Sequence, residues 1–119
     1  MQETKKLGIR GEIIAKEYLL ANNYEILATN YKNSYQEIDI IARLKRKYIF
    51  IEVKTRTRNN ESINENPLSS YQTKNLKIAI LNYASKNNLN LDLINLDLIF
   101  ILVDKENNNA SLRHYRDIF

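Results

Sequence analysis

Glu37-Ile38-Asp39-Ile40-Ile41-Ala42-Arg43-Leu44-Lys45-Arg46-Lys47-Tyr48-Ile49-Phe50-Ile51-Glu52-Val53-Lys54 is the stretch that decides how this chain folds. Two apolar runs, 35–43 and 48–56, flank the polar triplet Lys45-Arg46-Lys47. So short a separation cannot carry a crossover, so the runs are expected to pair as an antiparallel hairpin. With the turn centred between Lys45 and Arg46, Arg43 faces Tyr48, Ile41 faces Phe50, Asp39 faces Glu52 and Glu37 faces Lys54. Directly opposed side chains share one face of a sheet, with Cβ atoms about 4.5–5.5 Å apart. Ile49, Ile51 and Val53 take the other face, which should belong to the core. Two adjoining carboxylates repel each other and weaken a hairpin unless a proton or a cation is shared between them, and a hard divalent ion such as Mg²⁺ takes such oxygen ligands.

Glu52 and Lys54 lie two residues apart on the same face. In phosphodiester hydrolysis a metal polarises a phosphate oxygen and helps to make hydroxide, while a nearby ammonium orients water or offsets growing negative charge. Glu-x-Lys at alternate strand positions supplies both parts. Taken alone, the same pair also reads as two solvated strand residues, with Glu37 as the cross-strand partner of Lys54.

Upstream, residues 4–22 read as a helix: Leu7, Ile14, Tyr18 and Leu19 recur at helical spacing, and Asn22-Asn23 supplies a stop. Both glycines of the protein, Gly8 and Gly11, fall inside it. Each costs about 1 kcal/mol relative to alanine there, which asks for a packing or functional reason. Together with Ala15 they form a small-residue stripe able to approach another element closely. Glu12 lies within about 60° of the centre of that packed face, so its carboxylate needs a partner. A lysine or arginine of the sheet and a share in the acidic site serve equally well.

The remaining chain supplies a strand at 25–31, a polar loop over 57–66, and a helix that starts after Pro67 and Ser69-Ser70. That helix carries Leu76, Ala79, Ile80, Tyr83 and Ala84 as its apolar stripe and ends at Asn87-Asn88. The nearly continuous apolar run 96–103 suits a strand covered on both faces, and 112–115 suits a short edge strand. No repeat or internal linker interrupts the order α-β-β-β-α-β, so one domain over 1–119 is expected.

Composition narrows the function classes. The 119 residues include no cysteine, which excludes disulfides and thiolate metal sites. Apolar runs are too short and too broken by charge to span a bilayer, and the start of the chain is charged rather than signal-like, so no membrane association and a cytoplasmic location are expected. A net charge of +4 inclines the protein mildly towards polyanions. The basic residues placed to hold a nucleic-acid backbone are Arg10, Lys32, Arg56, Arg58 and Lys74; each alone is an ordinary surface charge, and together around an acidic site they form a contact surface. The tyrosines read as core or rim packing, and His114, the single histidine, as a packing or surface residue near the end.

Gly8-x-x-Gly11-Glu12-x-x-Ala15, Asn30-Tyr31-Lys32, Glu37-Ile38-Asp39-Ile40-Ile41 and Phe50-Ile51-Glu52-Val53-Lys54-Thr55-Arg56 follow one another in the pattern of the YraN-like bacterial proteins, and the ending His114-Tyr115-Arg116-Asp117-Ile118-Phe119 fits as well. That family is similar to archaeal Holliday junction resolvases, within the PD-(D/E)xK nucleases. The resemblance implies a restriction-endonuclease-like α/β fold, an αβββαβ core with a mixed sheet flanked by helices. It also implies that Asp39, Glu52 and Lys54 are the acidic pair and lysine, with Glu12 as an additional helix acid. The expectation is a Mg²⁺- or Mn²⁺-dependent endonuclease in which Asp39, Glu52 and Glu12 hold the metal and Lys54 acts beside it. Its substrate is nucleic acid, with DNA favoured and branched DNA among the candidates, and the resolvase likeness suggests a homodimer. The competing class is a nucleic-acid-binding protein that keeps the scaffold and does not cleave.

Overall fold

In a computed structural model, residues 2–58 and 68–118 are described, without the side chains of residues 2–4. In chain order the elements are α1 (Gln2–Ala21), β1 (Glu25–Tyr31), β2 (Ile38–Leu44), β3 (Lys47–Thr57), α2 (Ser70–Lys86), a single 3₁₀ turn (Leu91–Leu93), β4 (Ile94–Asp104) and β5 (Asn109–Tyr115). One mixed sheet contains the strands in the order β1-β2-β3-β4-β5. The architecture is α/β and matches a restriction-endonuclease-like core.

The hairpin forms in the expected register. Lys45 adopts a left-handed φ of 57°, and Arg43 pairs with Tyr48, Ile41 with Phe50 and Ile40 with Ile51. The first of its two strands starts later than alternation suggests. Tyr35 lies before β2 in a turn where its N–H donates to Asn33 Oδ1 at 3.1 Å, a local bond that competes with the ladder. From β3 the chain crosses through α2 to β4, which lies parallel to β3, with Tyr48 beside Ile94 and Thr57 beside Val103. β5 is longer than the segment expected at 112–115, because its antiparallel pairing with β4 extends to Asn109 opposite Asp104. Most of the polar loop expected over 57–66, and the Pro67 start signal, lie outside the described residues. α2 is capped by Ser69, whose hydroxyl oxygen accepts the Gln72 N–H at 3.1 Å.

Each face of the sheet has its own core. α1 lays Ala15 and Leu19 on Ile40, Ile49, Ile51, Ile99 and Ile101, while α2 lays Leu76, Ala79 and Ile80 on Ile41, Phe50, Leu96 and Leu98. Phe50 therefore lies under α2, so the face that carries Glu52 and Lys54 is covered along its earlier half. Tyr83 stands edge-on to both Tyr31 and Phe50, at 5.1 and 5.5 Å between ring centroids, which is the packing role expected of these rings.

Only part of the small-residue stripe makes the close approach. A Cβ at Gly11 would overlap the Thr55 hydroxyl and lie 3.0 Å from Thr55 Cβ, whereas one at Gly8 meets nothing within 4 Å. Rotating the Thr55 side chain leaves a tight contact, because its Cβ, which does not move with that rotation, stays 3.0 Å from the same point. Gly11 thus sets the distance between α1 and β3, and packing gives no reason for Gly8.

A second polar group lies within the α1 side of the fold. Asp97 of β4, 1% exposed, accepts through Oδ1 from the Asp117 N–H at 2.9 Å and meets His114 Nε2 through Oδ2 at 2.7 Å. The other ring nitrogen of His114 lies 2.8 Å from the Tyr18 hydroxyl of α1. His114 is a packing residue, as expected, and the group ties α1, β4 and β5 together.

Three expected outcomes can be read by chemical denaturation. Gly11→Ala should destabilise by about 1–3 kcal/mol through overpacking, while Gly8→Ala should be neutral or stabilise by up to about 1 kcal/mol. Equal effects at the two glycines would refute the assigned contact. Asp97→Ala should destabilise by about 3 kcal/mol, since it strips the partner from a buried imidazole and from a backbone N–H.

Candidate functional site

Regular pairing of β2 with β3 runs up to Ile40 and Ile51, and at the next step the Asp39 side chain takes the Val53 N–H, with Oδ2 accepting at 2.8 Å. This bond holds the Asp39 carboxyl beside Glu52. Glu52 is 4% exposed; its Oε2 lies 3.1 Å from Lys54 Nζ, and its Oε1 is buried without a hydrogen-bond partner. A buried acceptor left unmatched costs about 1–3 kcal/mol, more when charged. Burial and then the neighbouring Glu52 charge push the Asp39 carboxyl up to about 8, so its proton stays on near neutral pH.

Glu12 reaches the same end of the strands from α1. Asn30 holds it there: its amide nitrogen donates to Glu12 Oε1 at 3.1 Å and to Glu37 Oε1 at 3.2 Å. Asn30 can do so because it sits at a left-handed φ of 51°, a conformation that asparagine tolerates better than most residues. Burial raises the Glu12 carboxyl above its ordinary value, and the Asp39 and Glu37 charges add to the rise against the lowering effect of Asn30.

The acids therefore come as two pairs, Asp39 with Glu52 and Glu12 with Glu37, and the pairs are near enough to affect one another. Among the described residues no three His, Asp or Glu side chains stand together as a ready cage for a metal ion. A shared cation nevertheless fits the first pair. It would satisfy the orphaned Glu52 oxygen, and it would replace the proton that Asp39 otherwise retains. Glu12 fits best as a group that reaches such an ion through water.

The expected basic residues are distributed unevenly around this centre. Glu52, Lys54 and Arg56 occupy alternate positions of β3 and so lie along one side of the strand, and Arg58 follows just past its end. Arg56 is half-buried and donates through Nη1 to the Thr55 carbonyl at 2.9 Å, and Arg58 is exposed with Nε 3.8 Å from Asp104. Lys32 is exposed in the segment between β1 and β2, and Lys74 is exposed on the first turns of α2 beside Leu68, Ser70 and Thr73. Arg10 is exposed on α1, but two residues before Glu12 means about 200° of rotation, so it projects from another flank of the helix. Asn30 is the residue that sequence reasoning missed. It falls inside a recognised motif, but its role depends on a backbone angle and on two acids distant in sequence.

Linkage gives the sign of the pH dependence. Unfolded Asp39 releases its proton near 3.8 and folded Asp39 near 8, so between these values the folded state holds the extra proton. Its contribution to the stability of metal-free protein is full below about pH 4 and is lost as pH rises through about 8. Thermal melts from pH 5 to pH 8.5 should fall more steeply for the wild type than for Asp39→Asn, and Mn²⁺ should stabilise the wild type most at the upper end. Parallel pH profiles, or equal metal effects on both proteins, would refute the shared-charge account.

The family model described as Uncharacterised protein family UPF0102 matches residues 11–101. A UPF0102 protein of Clostridium beijerinckii is 35% identical over 118 residues, covering 97% of this chain and 94% of the relative. Another, from Christiangramia forsetii, is 33% identical over 119 residues, covering 100% and 98%. One from Caldanaerobacter subterraneus subsp. tengcongensis is 42% identical over 84 residues, covering 70% and 69%. The family model runs from within α1 through the hairpin into β4 and so spans the elements that build the site, in agreement with the YraN-like motifs: the chain belongs to the uncharacterised protein family UPF0102.

Proposed function

We propose that this protein is a divalent-metal-dependent endonuclease acting on nucleic acid, with DNA the favoured substrate and branched DNA a leading candidate. One observation carries the reading: the Asp39–Glu52 pair, Glu52 buried and Asp39 partly so, with an unmatched Glu52 oxygen and the Lys54 ammonium 3.1 Å from its other oxygen. Asp39 and Glu52 would hold Mg²⁺ or Mn²⁺, with Glu12 in reach through water. Bound there, the ion supplies Lewis acidity towards a phosphate oxygen and lowers the pKa of water. Lys54 orients the attacking water or offsets charge growing on the phosphate. Arg56, and Arg58 just past the end of β3, follow Lys54 in sequence, and the exposed Lys32 and Lys74 are the further candidates for a backbone contact surface. Arg10 projects from a different flank and is left out of that surface.

A second reading, a nucleic-acid-binding protein on the same scaffold that does not cleave, is favoured by the lack of a ready three-acid cage among the described residues. A cleavage panel of duplex, single-stranded, flapped and four-way DNA and matched RNA, with Mg²⁺ and Mn²⁺, separates the two. Wild type should nick at least one substrate, and Glu52→Gln or Lys54→Met should lower the rate at least about 100-fold while leaving binding intact. Tight binding with wild type as inert as the variants would establish the second reading. Arg56→Ala should weaken binding to all sequences and lower the salt slope by about 1. An unchanged slope would remove Arg56 from the contact surface.

A further inference from the structure

α1 carries a second apolar stripe that the fold does not use. Ile9, Ile13 and Leu20 are 53%, 48% and 58% exposed, although they lie on a helix whose opposite face is packed on the sheet. With Lys16 they are spaced by four, three and four residues, the a/d spacing of a helix seam that meets another helix. Exposed isoleucine and leucine in such a line mark an interaction face rather than scattered surface residues.

The charges beside the stripe say what the partner is. In this frame Arg10 and Glu17 are both e positions, and Glu12 is a g position. Antiparallel helices bring e against e, so a second α1 running the other way would set Arg10 against the partner's Glu17, and Glu17 against the partner's Arg10. A parallel pair would instead bring g against e and oppose Lys5, an exposed g position of the same frame, to the partner's Arg10, two like charges. The stripe is thus self-complementary in one direction only. Ile9 and the partner's Leu20 then differ in height by about 3 Å at 1.5 Å per residue, within reach of one another across a shared two-fold axis at the level of Ile13 and Ile14.

We propose that the outer face of α1 is the seat of a second copy of this chain, packed antiparallel through Ile9, Ile13 and Leu20 and oriented by reciprocal Arg10–Glu17 ion pairs. With three apolar residues on each side and Lys16 in the seam, the dimer is weak and depends on concentration. The proposal is independent of any cleavage activity.

Sedimentation velocity on the full chain from about 10 µM to about 1 mM provides the test. Wild type should pass from monomer towards dimer over this range. Ile13→Glu, which introduces a charge at an exposed position, should weaken dimerisation at least tenfold with an unchanged circular dichroism spectrum. Arg10→Glu and Glu17→Arg should each weaken it, because each sets like charges opposite one another. An equimolar mixture of these two variants should recover dimer, because both cross pairs are then complementary. Wild type that is monomeric throughout would overturn the proposal, as would a dimer that survives Ile13→Glu. Failure of the mixture to recover what each variant lost would overturn the antiparallel arrangement.

Discussion

Two acidic side chains held side by side in a poorly hydrated place constrain the rest of this structure. Asp39 and Glu52 are brought together by a hairpin register that the apolar residues around them enforce, and the Val53 N–H then fixes Asp39 in position. Slipping the strands by one residue would separate the acids, but it would also turn Ile40 and Ile51 out of the α1 core. Hydrophobic burial therefore maintains an electrostatic conflict that the two carboxyls alone cannot resolve. What resolves it is a retained proton, a neighbouring ammonium or a cation, and the site offers the first two from its own atoms.

Other features keep that arrangement supplied with a third acid. Gly11 lets α1 lie close on Thr55, and Glu12 follows directly in sequence, so the approach that packs the helix also delivers its carboxylate to the strand ends. Asn30 then ties Glu12 to Glu37 across otherwise repelling charges. At the other end of α1, Tyr18 reaches His114 and through it Asp97, which fixes the helix against β4 and β5. α1 is thereby held at two separated points along its length, which suits a helix that must present a side chain accurately.

Much of this was legible in the sequence because alternation and punctuation are local signals. Lys45-Arg46-Lys47 between two apolar runs fixed the turn, and the register of Arg43, Ile41 and Ile40 followed from it. The misreadings have physical causes. Tyr35 and its neighbours alternate like a strand, but Asn33 offers the backbone a closer bond. β5 begins before its apolar residues because the long β4 supplies a partner as far as Asp104. Gly8 and Gly11 look alike in a helical stripe, and only the position of Thr55 distinguishes them. Asn30 was hidden for a similar reason, since its value lies in a left-handed backbone angle and two distant acids.

The parallel joining of β3 to β4 has a bearing on the order of assembly. Asp39, Glu52 and Lys54 belong to one hairpin closed by a tight turn, so little chain entropy is lost in bringing them together. Tyr48 can meet Ile94 only after the intervening chain, including α2, has been looped round, which is the kind of distant pairing that slows folding. The distant pairing is thus one that carries no chemistry, while the strand pair bearing the acids closes through the shortest turn of the sheet.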